Sequence, residues 1–247
     1  MKSINFEKKT YWNSRYASED VFEWFHGFSA FKHLIEPHIH NEDAILMLGC
    51  GNSDLSFDMH QCGYKNIVNV DYSEVCIHHM ANKYKQFHSL KWLTMDIREL
   101  TFDHASFDTV IEKGTLDSLL VSEKDRWHIS EKTYAMLENI LWGIRRILKP
   151  GGKFISITYE QPHFRKRIYA RTCYGWNIEC YNFGEAGCFE YFVYVMTCGQ
   201  NLDQDNKEFE RISMEQRGHW LSSAMKVQSH NGDECRENED FLQKIDL

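Results

Sequence analysis

The run Ile45-Leu46-Met47-Leu48-Gly49-Cys50-Gly51-Asn52-Ser53 constrains this chain most: four apolar residues stop abruptly at a turn built on two glycines. A short apolar run bounded in this way reads as a buried strand. Glycine at its end lets the backbone turn and come close to a ligand at the head of a sheet. From Asp43 to Glu160 similar runs alternate with helix-length segments, the pattern of βαβ units and a parallel sheet. Strands are expected near 44–48, 67–70, 91–95, 107–111 and 153–159. The clearest helix is Tyr134 to Leu148, where Leu137, Ile140, Leu141, Ile144, Ile147 and Leu148 recur at three- and four-residue spacing and make one apolar stripe. Arg145, Arg146 and Lys149 suit its C-terminal dipole, and Pro150-Gly151-Gly152 stops it. Two more strand-like stretches, near 176–183 and 188–197, are joined so tightly at Gly184–Gly187 that only an antiparallel hairpin fits.

The predicted fold is therefore α/β: a Rossmann-like, seven-stranded, mostly parallel sheet with an antiparallel last strand and helices on both faces. The 247 residues can bury one sizeable core. Residues 1–36 are rich in aromatics (Tyr11, Trp12, Tyr16, Phe22, Trp24, Phe25, Phe28, Phe31) and read as helical pieces that pack on or cover the main domain. That domain spans residues 37–199. Residues 200–247 turn polar and charged and read as a mobile tail, with Phe241 to Leu247 able to dock as one apolar turn.

The formal net charge of -8 disfavours tight binding to a polyanion, which needs clustered Lys and Arg, so no direct nucleic-acid partner is expected. The eight cysteines contain no C-x-x-C pair, so spacing suggests neither a zinc site nor a redox dithiol. No apolar signal region opens the chain and no run approaches a membrane span, which points to a soluble, cytoplasmic protein.

The chemistry-bearing residues cluster at predicted strand ends. Asp71 ends the second strand, 20 residues after Gly51, where a carboxylate can accept hydrogen bonds from both ribose hydroxyls. The third glycine of the dinucleotide pattern is absent, and Asn52-Ser53 in its place suits a nucleoside without a pyrophosphate, such as S-adenosylmethionine. Asp96, at the end of the third strand, could accept the adenine amine while Ile97 packs on the ring; an aspartate there is also a common loop cap. After the fourth strand, Lys113 could face the cofactor, and Glu112 or Asp117 could orient an incoming ammonium. The competing role for all three is to order the loop.

Methyl transfer from a sulfonium needs in-line geometry more than acid–base machinery. An amine acceptor must still lose a proton, since free lysine has a pKa of about 10.4. Trp12, Tyr16 and Trp24 could close over the methionine end with their π faces towards the sulfonium and the substrate ammonium, or they could simply be core.

Several strings carry a narrower signal. Tyr11-Trp12-Asn13-Ser14-Arg15-Tyr16, Leu48-Gly49-Cys50-Gly51-Asn52-Ser53, Val70-Asp71-Tyr72-Ser73, Glu112-Lys113-Gly114-Thr115-Leu116-Asp117, Pro150 to Ser156 and Pro162-His163-Phe164-Arg165 resemble the class I, seven-β-strand methyltransferases. Within that class the likeness is to the lysine methyltransferases of elongation factor 1-alpha. The resemblance implies an S-adenosylmethionine-dependent protein-lysine methyltransferase, with cofactor contacts at Trp12, Tyr16, Trp24, Gly49, Asp71, Tyr72, Asp96, Ile97 and Lys113, no metal, and elongation factor 1-alpha as the protein partner. A relative of this family, the endothelin-converting enzyme, is a metalloprotease, but no H-E-x-x-H string occurs here. Met47 departs from the class, which often has an acidic residue at that position. No Asn-Pro-Pro-Tyr string comes after the fourth strand, which disfavours DNA and glutamine acceptors. The competing readings are a small-molecule or RNA methyltransferase and a non-catalytic binding module on the same fold. A nicotinamide-dependent oxidoreductase is disfavoured by the missing third glycine.

Overall fold

The computed structural model describes residues 6, 8–184 and 189–218. Strands β1 (Ile45–Leu48), β2 (Ile67–Asp71), β3 (Leu90–Thr94), β4 (Phe107–Lys113), β5 (Leu148–Thr158), β6 (Trp176–Phe183) and β7 (Tyr191–Cys198) form one sheet in the order β3-β2-β1-β4-β5-β7-β6. Only β7 runs against its neighbours, pairing antiparallel with both β5 and β6. The connection before it is too short to cross over the sheet, so the chain has to double back.

β1 pairs parallel with β2 on one side and β4 on the other. The chain therefore winds outwards through β2 and β3, then returns to start β4 beside β1. A reversal of this kind leaves a crevice outside the carboxyl ends of the two central strands. Leu48 and Glu112 are paired there, which puts the glycine turn and the Lys113-Gly114 loop side by side.

The side-chain alternation of β1 explains the two cores. Leu46 and Leu48 face α6 (Glu131–Ile147), whose stripe Leu137, Ile140, Leu141, Ile144 and Ile147 is buried. Ile45 and Met47 face the other layer, which contains α1 (Lys9–Tyr16), α2 (Phe28–Ile35), α3 (Leu55–Gln61) and α4 (Glu74–Lys83). Met47 is thus an apolar core residue whose backbone reaches the head of the sheet. The remaining α-helices among the described residues are α5 (Thr115–Leu120), α7 (Pro162–Tyr169) and α8, over 204–218.

Several boundaries differ from those read off the sequence: β4 runs on to Lys113 and β7 starts only at Tyr191, and the ends of α6 and the segment after Gln200 change as well. α6 starts earlier, at Glu131, because Ser130 caps it by accepting from the Thr133 amide. It stops at Ile147, since Leu148 already pairs with Phe107 as the first residue of β5, and Lys149 to Gly152 bulge out before pairing resumes at Thr109 and Lys153. The polar segment after Gln200, expected as a mobile tail, begins with α8. Asn206 Nδ2 donates to the Ile178 carbonyl at 2.9 Å, and Arg217 pairs with Glu131 at 2.6 Å. These polar contacts, with Phe209 packed against the core, dock a helix that periodicity alone does not reveal. The expected turn at Phe241 to Leu247 lies outside the described residues. No helix among the described residues is long and apolar enough to cross a membrane.

Candidate active site

Gly49 and Gly51 both have left-handed backbones, with φ of 59° and 53°. A Cβ on Gly49 would collide with Thr115 Oγ1, which donates to the Leu48 carbonyl and so ties the β4 loop over the turn. Gly51 donates its amide to Asp71 Oδ2 at 3.1 Å, and Ser73 donates its amide to Asp71 Oδ1 at 2.9 Å. Each carboxylate oxygen thus keeps a lone pair for a further donor. Burial pushes the Asp71 carboxyl up to about 6, although both amides pull the other way.

These groups open onto a cavity of about 1000 Å³ at the carboxyl edge of β1, β2, β3 and β4. Its wall includes Trp12, Tyr16, Trp24, Gly49, Gly51, Asp71, Tyr72, Asp96, Ile97 and Lys113, so the fold brings together every residue read as a cofactor contact. A second cavity of about 790 Å³ lies among α6, α7 and α8, lined by Trp127, Tyr134, Phe164 and Arg167, and none of those cofactor-contact residues reaches it.

At the far end of the main cavity Asp96 caps the turn after β3, accepting from the Arg98 amide at 2.9 Å, and it also holds the Arg98 guanidinium. Burial raises the carboxyl, but the bonds and charge of Arg98 outweigh it and hold it below the usual range. Cap and wall residue are therefore one and the same.

The N-terminal aromatics likewise serve as core and as wall. Trp12 and Tyr16 are stacked at 5.5 Å, packed in the α1–α4 layer, and face the cavity; the Tyr16 hydroxyl would lie 3.1 Å from a Cβ on Gly51. Burial raises the Tyr16 phenol far above its ordinary value, so it is a neutral donor. What fastens this segment was not visible in the sequence. The Glu23 carboxylate accepts from Ser53 Oγ at 2.8 Å, from the Asp54 amide at 2.6 Å and from Lys113 Nζ at 2.8 Å. Lys113 Nζ also donates to the Trp24 carbonyl at 2.6 Å. Lys113 reaches the cavity wall, but its ammonium is engaged by the N-terminal segment, and burial lowers its pKa against the pull of Glu23. An acidic residue inside an aromatic run was the one available hint of Glu23.

The two residues read as substrate-orienting are not on the cavity wall. Glu112 is 1% exposed, and its Oε2 accepts from the Thr115 and Leu116 amides at the start of α5 while Oε1 accepts from the Ser156 hydroxyl. Burial, followed by the Asp117 charge, pushes its carboxyl up to about 7. Asp117 Oδ1 accepts from Thr158 Oγ1 at 2.5 Å and from Arg165 Nη2 at 2.7 Å, and Arg165 is 0% exposed. Both carboxylates order the end of β4 from within, the competing role for this loop.

Tertiary structure also brings together two cysteines that spacing kept apart. Cys50 Sγ, Cys76 Sγ and the Asp71 carboxylate lie within 4.8 Å of one another. Burial, then the contact with Cys76, pushes the Cys50 thiol well up, which favours the protonated form over the thiolate a metal would need.

The sheet order, the glycine turn and the acidic strand ends around one cavity define a doubly wound nucleoside-binding fold. The chain belongs to the methyltransferase-domain family, whose profile matches residues 39–217. It is similar to EEF1A lysine methyltransferase 4 of Bos taurus, 41% identical over 204 residues that cover 81% of this chain and 79% of that protein. The Mus musculus protein of the same name is 38% identical over 250 residues, covering 100% of this chain and 94% of its own. Among solved structures, the N-methyltransferase NodS from Bradyrhizobium japonicum WM9, in complex with S-adenosyl-L-homocysteine, matches with a TM-score of 0.60 at 12% identity, over 79% of this chain and 100% of that one. That last likeness is one of fold.

Proposed function

We propose that this chain transfers a methyl group from S-adenosylmethionine to a lysine ε-amine of elongation factor 1-alpha. The observation that carries the cofactor is the Asp71 carboxylate, pinned by the Gly51 and Ser73 amides with one lone pair left on each oxygen. That arrangement fits a ribose with two vicinal hydroxyls. The glycine turn fits as well, since a Cβ on Gly49 or Gly51 would meet Thr115 or Tyr16 at the cavity wall. The cavity's mix of aromatic faces with a few carboxyl and amide groups suits a nucleoside bearing an amino-acid chain.

In this reading Asp71 holds the ribose, Tyr72 and Ile97 flank the base, and Asp96 accepts the adenine amine while keeping its Arg98 partner. Trp12, Tyr16 and Trp24 enclose the methionine end, with Glu23 and Lys113 holding that wall in place. S-adenosylmethionine supplies an electrophilic methyl on a sulfonium. This chain's own part is to position the groups, exclude water and favour a cation with aromatic faces. The lysine acceptor rests on the names of the two mammalian relatives.

The test is incubation of the purified chain and recombinant elongation factor 1-alpha with labelled S-adenosylmethionine, and then mass spectrometry. Label on one lysine, abolished by changing that lysine to arginine, is expected. No incorporation, or incorporation that survives replacement of every labelled lysine, rejects the proposal.

A further inference from the structure

Next to the cavity stand rings to which the proposed function gives no role. Phe25 packs against Gly114, a residue of the cavity wall: a Cβ there would lie 3.1 Å from Phe25 Cε2. The Phe25 ring is 5.7 Å from Tyr159, just past β5, and 5.4 Å from Tyr191, the first residue of β7. Phe189, 63% exposed, sits 5.5 Å from Tyr191 at the outer side. Three chain segments distant in sequence therefore converge on one aromatic sleeve, its rings packed against one another and half-exposed on their outer faces.

Two features set this cluster apart from ordinary packing. Phe25 and His26 are consecutive non-glycine residues in the left-handed region, with φ of 55° and 71°. That conformation costs roughly 1–2 kcal/mol per residue, so the surroundings must enforce it. The Trp24 carbonyl held by Lys113 and the ring contacts of Phe25 do so. In addition, a cation already lies on one of these rings. The Arg126 guanidinium is 5.2 Å from the centre of Tyr159 and donates to its hydroxyl at 2.6 Å, while its other partner is Glu160, which is 7% exposed. A π face with a carboxylate beside it is a place where a cation is stable.

Resting on the reading of the acceptor as a lysine, we infer that Phe25, Tyr159 and Tyr191 form the subsite for the acceptor side chain. The sleeve takes the apolar stem and ammonium of a lysine in preference to a neutral chain of the same length. Glu160, with Arg126, lies at its rim. Because methylation preserves the positive charge, the same faces hold the side chain after a methyl group is added.

Phe25→Leu keeps the apolar bulk and removes one π face; Tyr191→Leu does the same on the ring packed beside it. Each variant is expected to raise the KM for elongation factor 1-alpha about three- to tenfold. Affinity for S-adenosylhomocysteine, measured by calorimetry, stays within about twofold, and the melting temperature falls by only the few degrees that lost ring packing costs. Phe25→Trp restores the wild-type KM. A readout independent of turnover is the binding of n-butylammonium, compared with 1-butanol, observed through tyrosine ring resonances. The wild type prefers the cation and Phe25→Leu loses that preference. An unchanged KM in both leucine variants, or equal binding of amine and alcohol by the wild type, overturns the sleeve. The two proposals fail separately: a wild type that leaves elongation factor 1-alpha unmethylated rejects the substrate, and the amine–alcohol comparison still decides on the sleeve.

Discussion

Four carboxylates lie at the same edge of one sheet, and they have opposite surroundings. Asp71 and Asp96, after β2 and β3, stand on the cavity wall with their partners beside them. Glu112 and Asp117, at and after the end of β4, are sealed beneath it by α5, β5 and α7. The difference lies in what covers each strand end. β2 and β3 occupy the outer half of the sheet, where backbone amides and Arg98 satisfy the carboxylates without closing the space above them. β4 is central, and α7 delivers the buried Arg165 as a counter-charge. An acidic residue at a strand end is placed to bind where the space above it stays open, as at Asp71, and is structural where a helix and a buried cation close over it, as at Asp117.

The largest expected effect tests the buried half of this comparison. Asp117→Ala leaves Arg165 buried without its partner and is expected to destabilise the fold by about 3–5 kcal/mol, as read from urea unfolding. Replacing both residues by apolar ones of similar size recovers most of the loss. If Asp117→Ala instead left stability intact and raised the KM for the protein acceptor, the contrast would be broken.

Asp71→Ala tests the half on the cavity wall. Removing an acceptor for two hydroxyls should weaken S-adenosylmethionine binding by roughly 100-fold in calorimetry, with stability changing far less than in Asp117→Ala. Similar losses of stability in the two variants would erase the distinction.

The same carboxylate sets a pH dependence. With Asp71 raised to about 6, acidification protonates it and removes the acceptor, so cofactor affinity falls as pH drops through about 6 and levels off above. At pH 5 the loss approaches about tenfold, and Asp71→Asn should abolish this dependence. Stability of the cofactor-free protein moves the other way between about 6 and the ordinary carboxylate range, because a raised pKa means that the folded state takes up the proton more readily. Glu112, raised to about 7, adds to that trend.

The smallest effect sharpens the comparison at the N-terminal wall. Glu23→Gln keeps the shape but weakens the grip on Lys113, Ser53 and the Asp54 amide, and a loss in cofactor affinity of about fivefold is expected. Faster hydrogen exchange in α1 would accompany it; unchanged exchange would mean that ring packing alone holds the segment.

Much of this site is local information. The apolar run before Gly49, the spacing from Gly51 to Asp71 and the stripe of α6 are written in neighbouring residues, and a strand end fixes where its last side chain goes. Even so, α8 was hidden, because its docking depends on single polar contacts such as Asn206 with Ile178 rather than on an apolar stripe.

By itself, then, the sequence determined the sheet, the glycine turn and the carboxylates at the strand ends. Only the tertiary structure decided which of those carboxylates are free to bind. That outcome depends on partners far along the chain: Arg165 is 48 residues from Asp117, and Glu23 is 90 residues from Lys113. Periodicity places a residue on a face of its own element, whereas the charge that meets it there is set by how the elements pack.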